Sequence, residues 1–232
     1  MRLGARCVGS DVDLTTRVGR ERVVRLCRDE DQTVWIAVRP HAEVDPVEFY
    51  GEVGKLVLDV PIVLLGSSAV YGENAHASET DELRPVTPYG EGKRIEEESF
   101  RVQNAKVIRI FDSYGGDRGV VADFRASLAA GRKLALAPHV LLDFMHLDDC
   151  VEAIVALERV ECGVVNLGTG RGTALSALAA WIAKDPSIAF DVISSERASA
   201  VADVTKLEGF LGADRIRSWW TRFLEDTNGR QS

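Results

Sequence analysis

The sequence predicts an α/β fold built on a parallel sheet. Strand-like and helix-like patterns alternate along the chain, which is what βαβ connections produce. The strand candidates are short continuous apolar runs rather than alternating ones, the pattern of strands covered on both faces. Glycines and small polar residues fall between the periodic segments, where turns and caps are needed.

Taken in order, "TTRVGRERVVRLC" (Thr15 to Cys27) reads as an amphipathic helix and "TVWIAV" (Thr33 to Val38) as a buried strand. "PVEFYGEVGKLVL" is a second helix, weakened by Gly51 and Gly54. "PIVLLGS" (Pro61 to Ser67) and "AKVIRIF" (Ala105 to Phe111) are further strands. "VVADFRASLAAG" is a helix stopped by Gly131. "VLLDFMHLDD" is a strand running into Asp148, the expected cap of the helix "CVEAIVALERV". "GVVNLG" is a strand, and "TALSALAAWIAK" is a helix with Thr173 as its candidate cap. "DVTKLEGFLG" and "DRIRSWWTRFLED" close the chain as helices, with Trp219 and Trp220 read as packing residues.

The chain has 232 residues, 46% apolar and 28% charged, the balance of a globular protein. A net charge of −8 disfavours nucleic acid and anionic membrane surfaces as partners. No apolar run approaches the roughly 20 residues of a membrane helix, and "MRLGARCVGSDVD" lacks the apolar centre of a secretory signal. Cys7, Cys27, Cys150 and Cys162 show no metal spacing and read as reduced core thiols of a cytoplasmic protein. "GTGRG" (Gly168 to Gly172) follows a strand and opens a helix as a phosphate loop does, but its spacing is wrong and it reads as a tight turn.

Chemistry concentrates between Gly66 and Ser99. Tyr89 and Lys93 lie four residues apart on a helix and so share a face. An ammonium beside a phenol favours phenolate, and a serine hydroxyl can donate to a carbonyl or alkoxide oxygen. "SSAVYG", "TPYGEGK", "RIFDSYG", "DFMHLDD" and "VVNLGTG", in that order, resemble the extended short-chain dehydrogenases/reductases of the NAD-dependent epimerase/dehydratase family; "ADVTKLEGFLG" fits as well. The resemblance implies a Rossmann-like, doubly wound parallel sheet over residues 1–111. A smaller C-terminal substrate-side region, not independently folded, would cover residues 112–232. It also implies Ser67, Tyr89 and Lys93 as the catalytic set, with Ser68 as a neighbouring substrate contact.

Several positions depart from the family. Upstream of Thr33 no GxxGxxG turn is found, so the expectation is a sheet truncated at its N-terminal side, with Asp13 near the position that meets the adenine. Glu52 replaces an Asn near the cofactor. Asp112 stands where an Asn binds the substrate diphosphate, and Leu142 where an Arg binds phosphate; both changes oppose a diphosphate ligand. Arg197 is a candidate replacement contact. Ser68 and Ala69 occupy positions that are acidic in sugar dehydratases.

Three functions follow. The first is a redox-neutral isomerase, epimerase, lyase or cyclase on a small carbonyl metabolite without a diphosphate, using no cofactor. The second is an NAD- or NADP-dependent nucleotide-sugar epimerase or reductase with atypical cofactor binding. The third is a non-catalytic binding or scaffold protein. Loss of the first strands would expose a sheet edge, through which a homodimer is expected. His146 reads as a core or cap residue, and His76 with the acidic run "ETDE" as a solvated loop over the site.

Overall fold

The computed structural model describes residues 34–36, 61–101, 105–194 and 198–228. The early helices expected at Thr15 to Cys27 and after Pro46 lie outside these residues, as do Asp13, Glu52 and Arg197.

Strand β1 (Val34–Ile36) is followed by β2 (Ile62–Ser67), a 3-10 turn (Ser68–Val70), β3 (Asn74–Ala77) and helix α1 (Pro88–Arg101). Then come β4 (Lys106–Ile110), β5 (Asp112–Tyr114), α2 (Val120–Ala129), β6 (Leu134–Leu136) and β7 (Leu141–His146). The remainder is α3 (Leu147–Glu158), β8 (Val164–Leu167), β9 (Gly172–Ala174), α4 (Leu175–Ala183), β10 (Phe190–Val192), β11 (Ala200–Ala202), α5 (Thr205–Leu211) and α6 (Ala213–Asn228).

The apolar runs form the main sheet, in the order β1-β2-β4-β8. All its pairs are parallel, with Leu64 opposite Val107 and Val107 opposite Val164. Leu64, Ile108, Val165 and Leu167 are wholly buried. Cys150, Ala153 and Leu157 of α3, Leu207 of α5, and Ile216 and Trp219 of α6 share one core with Val63, Ile108, Val165 and Leu167 of this sheet. A side sheet runs β3-β11-β7-β5, with β9 antiparallel on β7, and β10 pairs with β6. Beneath these lies a second core in which Phe144 and Phe223 stack with ring centroids 5.1 Å apart.

Three local readings need correction. The cap of α3 is His146, whose Nδ1 accepts from the Asp148 N–H at 3.1 Å; Asp148 itself lies in the first turn. The N-cap of α4 is Ala174, while Thr173 is a buried residue of β9. The loop over the site contains β3, because Asn74 and Ala77 pair with β11. His76 stays exposed, 3.9 Å from Asp203. Among the described residues no helix is long and apolar enough to cross a membrane, and no cluster of His, Cys, Asp or Glu is placed to hold a metal.

Candidate active site

The site is built at the carboxyl edge of the parallel sheet, where open α/β sheets bind ligands. Ser67 ends β2 in extended conformation and caps the 3-10 turn, its hydroxyl accepting from the Ala69 N–H at 3.2 Å. Ser68 is buried within that turn, and its carbonyl accepts from the Tyr71 N–H. Ser67 pairs across the sheet with Ile110, so Asp112, which begins β5, lies along the same edge. Asp112 is half-buried. Beyond it is a shallow cleft of about 170 Å³ lined by Ser113, Tyr114, Gly116, Asp117, Arg118 and Leu147.

Helix α1 brings in the other two residues. Thr87 receives the Gly90 N–H on its hydroxyl at 3.0 Å, which starts the helix. Gly90 then lets the helix rest on the 3-10 turn: a Cβ there would stand 2.4 Å from the Ala69 carbonyl oxygen. That approach fixes the first turn of α1, and with it Tyr89, against the Ser67–Ala69 segment. Tyr89 is 42% exposed. Lys93, one turn further on, is buried; its ammonium donates to the Leu65 carbonyl at 3.0 Å and to Glu96 Oε2 at 2.5 Å. Glu96 is fully buried.

A second buried network supports this arrangement from below. Glu97 of α1 receives the Arg109 guanidinium from β4, with Nη2 to Oε2 at 2.8 Å and Nε to Oε1 at 3.2 Å. Arg109 donates to the Tyr71 hydroxyl at 2.7 Å, and Tyr71 donates to Asn166 Oδ1 at 2.6 Å. The Asn166 side chain donates to the Ala77 carbonyl at 2.7 Å, which ties the strand-bearing loop to β8. Burial pushes the Tyr71 phenol up to about 12, partly opposed by Arg109. Of the three motif tyrosines, Tyr71 and Tyr114 are buried and Tyr89 is exposed.

The "GTGRG" turn also has an internal occupant. Asp143 of β7 accepts from the Thr169 N–H at 2.8 Å, the Thr169 hydroxyl at 2.5 Å, the Gly170 N–H at 2.9 Å and the Ala202 N–H at 3.2 Å. Burial pushes its carboxyl up from the ordinary value, and these donors oppose the rise. A phosphate has no N–H left to use on Thr169 or Gly170. The tight-turn reading holds, and its cause is an internal carboxyl in the place a phosphate would take.

Sequence reasoning missed Glu96, Glu97 and Arg109. Glu96 was legible only through its three-residue spacing from Lys93. Leu142, the position expected to lose a phosphate contact, is a core residue at 2% exposure, so nothing at that place faces a ligand. The Gly90 contact sets the first turn of α1, with Tyr89, against the Ser67–Ala69 segment, and Lys93 reaches β2 through the Leu65 carbonyl. Asp112 shares the sheet edge of Ser67.

Residues 55–168 match the family model described as "NAD dependent epimerase/dehydratase family". A curated relative from Methanocaldococcus jannaschii, named "Putative UDP-glucose 4-epimerase", is 25% identical over 62% of this chain; the chain spans about half of that relative's length, 51%. Among solved structures, the NAD-dependent NDP-hexosamine 5,6-dehydratase TunA superposes with a TM-score of 0.68 at 20% identity, over 87% of this chain and 80% of its own. The Thermus thermophilus UDP-glucose 4-epimerase in complex with NAD gives 0.67 at 22% identity, over 89% and 83%. These neighbours correct the expectation that no cofactor serves the site: both are described as NAD-dependent or NAD-bound. The segment upstream of Thr33, on which that expectation rested, lies outside the described residues. Motif order, sheet topology and family model agree over residues 55–168: this part of the chain matches the NAD-dependent epimerase/dehydratase family.

Proposed function

We propose that this chain is a nicotinamide-dependent enzyme that catalyses a redox-neutral epimerisation or elimination at a sugar-like carbonyl or carbinol carbon. The observation that carries this reading is the docking of α1 on the Ser67 turn through Gly90, which packs the helix turn carrying exposed Tyr89 against the Ser67–Ala69 segment at the carboxyl edge of the sheet. The donor set fits a nicotinamide neighbour: Ser67 and Tyr89 can flank a reacting C–O group, and Lys93 lies one helical turn behind. A nicotinamide bound there would supply a reversible hydride acceptor. Tyr89 takes the proton from the substrate hydroxyl as a carbonyl forms and returns it afterwards. Ser67 donates to the same oxygen and stabilises its negative charge.

A substrate without a diphosphate is favoured by two residues. Asp112 places a carboxylate along the site edge, and Leu142 is packed into the core, where no cation can reach a phosphate. A nucleotide-sugar substrate is the second reading, supported by the names of the relatives. The test is a turnover screen with added NAD and NADP, run on unmodified sugars and polyols in parallel with their UDP conjugates. Conversion of the unconjugated compounds supports the first reading. Conversion of the UDP conjugates alone replaces it with the second, and conversion of both sets unimpaired in Tyr89→Phe removes the proton-transfer site from either.

A further inference from the structure

Six charged side chains of α1 take part in ion pairs. On the outer side Arg94 bridges two acids, donating from Nε to Glu91 Oε2 at 2.9 Å and pairing with Glu98 one turn later. On the inner side Glu97 takes Arg109 of β4. Glu96, fully buried, takes the Lys93 ammonium at 2.5 Å, and the Leu65 carbonyl accepts a second ammonium proton at 3.0 Å. The Lys93 side chain is only 10% exposed. A carboxylate and an ammonium this close and this dry act at a distance as a dipole, and a buried charge persists only with such a partner. Tyr89 sits one turn from Lys93 and two turns, roughly 10 Å, from Glu96.

We propose that Glu96 is a positioning residue of the proton-transfer site: with the Leu65 carbonyl it holds the Lys93 ammonium against β2, so that Tyr89 works beside a neutral ion pair rather than a lone cation. The inference rests on the reading of Tyr89 and Lys93 as the proton-transfer pair. It assigns to Glu96 a role that the YxxxK spacing alone does not contain, and it makes the field at Tyr89 depend on two residues of opposite sign.

The experiment is an alkaline ultraviolet titration of tyrosinate in the full chain, with the Tyr89 signal isolated by subtracting the spectra of matched Tyr89→Phe proteins. Glu96→Gln keeps the ammonium and removes its counter-charge, so Tyr89 is expected to titrate lower than in the parent by about half a pH unit or more. In Lys93→Met/Glu96→Gln the net charge of the pair is zero, as in the parent, and the midpoint is expected to stay within about 0.2 pH unit of it. The double variant exchanges a buried ion pair for neutral groups, a replacement that folded proteins tolerate, and so decides the matter even where Glu96→Gln does not fold. A double-variant midpoint raised by about half a unit would show Lys93 acting as an unscreened cation and would overturn the proposal, as would a folded Glu96→Gln protein that titrates with the parent. No turnover is needed, so loss or survival of activity in Tyr89→Phe bears on the functional reading alone.

Discussion

Tyr71 and Tyr89 carry the same phenol in opposite circumstances. Tyr89 is 42% exposed and Tyr71 2%, and only the first can meet a substrate. Tyr89→Phe keeps the ring and removes the transferable proton; kcat is expected to fall by about 10² to 10⁴, as loss of a general acid–base group does, with the thermal midpoint unchanged. Steady-state kinetics and a melting curve on the same sample check both halves. Tyr71→Phe should do the reverse, because it strips a partner from buried Arg109 and Asn166; a cost of about 1–3 kcal/mol is expected in denaturant unfolding. The phenol of Tyr71 also has a pH signature. Its folded-state value, about 12, lies above the ordinary value of 10.0. The stability tied to its neutral form is therefore complete below about pH 10 and is lost as pH climbs toward 12, by about 2–3 kcal/mol in all. In Tyr71→Phe that alkaline limb is expected to flatten, and pH-dependent chemical denaturation reads it directly.

At the scale of elements, α1 and its glycine decide whether the site assembles. Gly90→Ala improves helix propensity by about 1 kcal/mol, yet its methyl would meet the Ala69 carbonyl at 2.4 Å. Backbone oxygen cannot swing aside as a side chain can, so the clash outweighs the propensity. The variant is expected to lose about 1–3 kcal/mol and to lose kcat as Tyr89 is displaced from the Ser67 turn; a gain in stability would show that α1 does not dock there. Much of this architecture was legible in the sequence. β2, β4 and β8 are marked by apolar runs, and Ser67, Tyr89 and Lys93 by fixed spacing on a strand end and a helix face. The three-residue strands β9, β10 and β11 were not legible, nor was "NAHA" in β3, because so short a strand has no period of its own and exists through its neighbour. The α3 cap was misplaced because a histidine ring nitrogen took the role that Asp148 ordinarily takes. Glu96 was hidden for a related reason: an acid in "EEES" reads as a solvated helix face until packing of α1 against β2 buries it.

For the molecule as a whole, the thiols report on cooperativity. Cys150 and Cys162 both lie in the core shared by the main sheet, α3 and α6, and burial pushes the Cys150 thiol up to about 12. Native protein at mildly alkaline pH is expected to leave both unalkylated, and labelling followed by peptide mass spectrometry should track global unfolding rather than local fraying. Rapid native labelling of Cys150 would mean that α3 detaches on its own. The carboxyl of Asp143 bears on this cooperativity in another way. It joins β7 to partners 26 and 59 residues further along the chain, so its bonds cannot form until three distant segments have already met. Contacts of such long sequence separation are slow to gather, which places this knot late on the folding route. Asp143→Ala is therefore expected to leave the refolding arm of the chevron nearly unmoved and to raise the unfolding rate. A turn that resembles a phosphate cradle would then act as a latch on the assembled chain, governing how long the native state lasts rather than how fast it is reached.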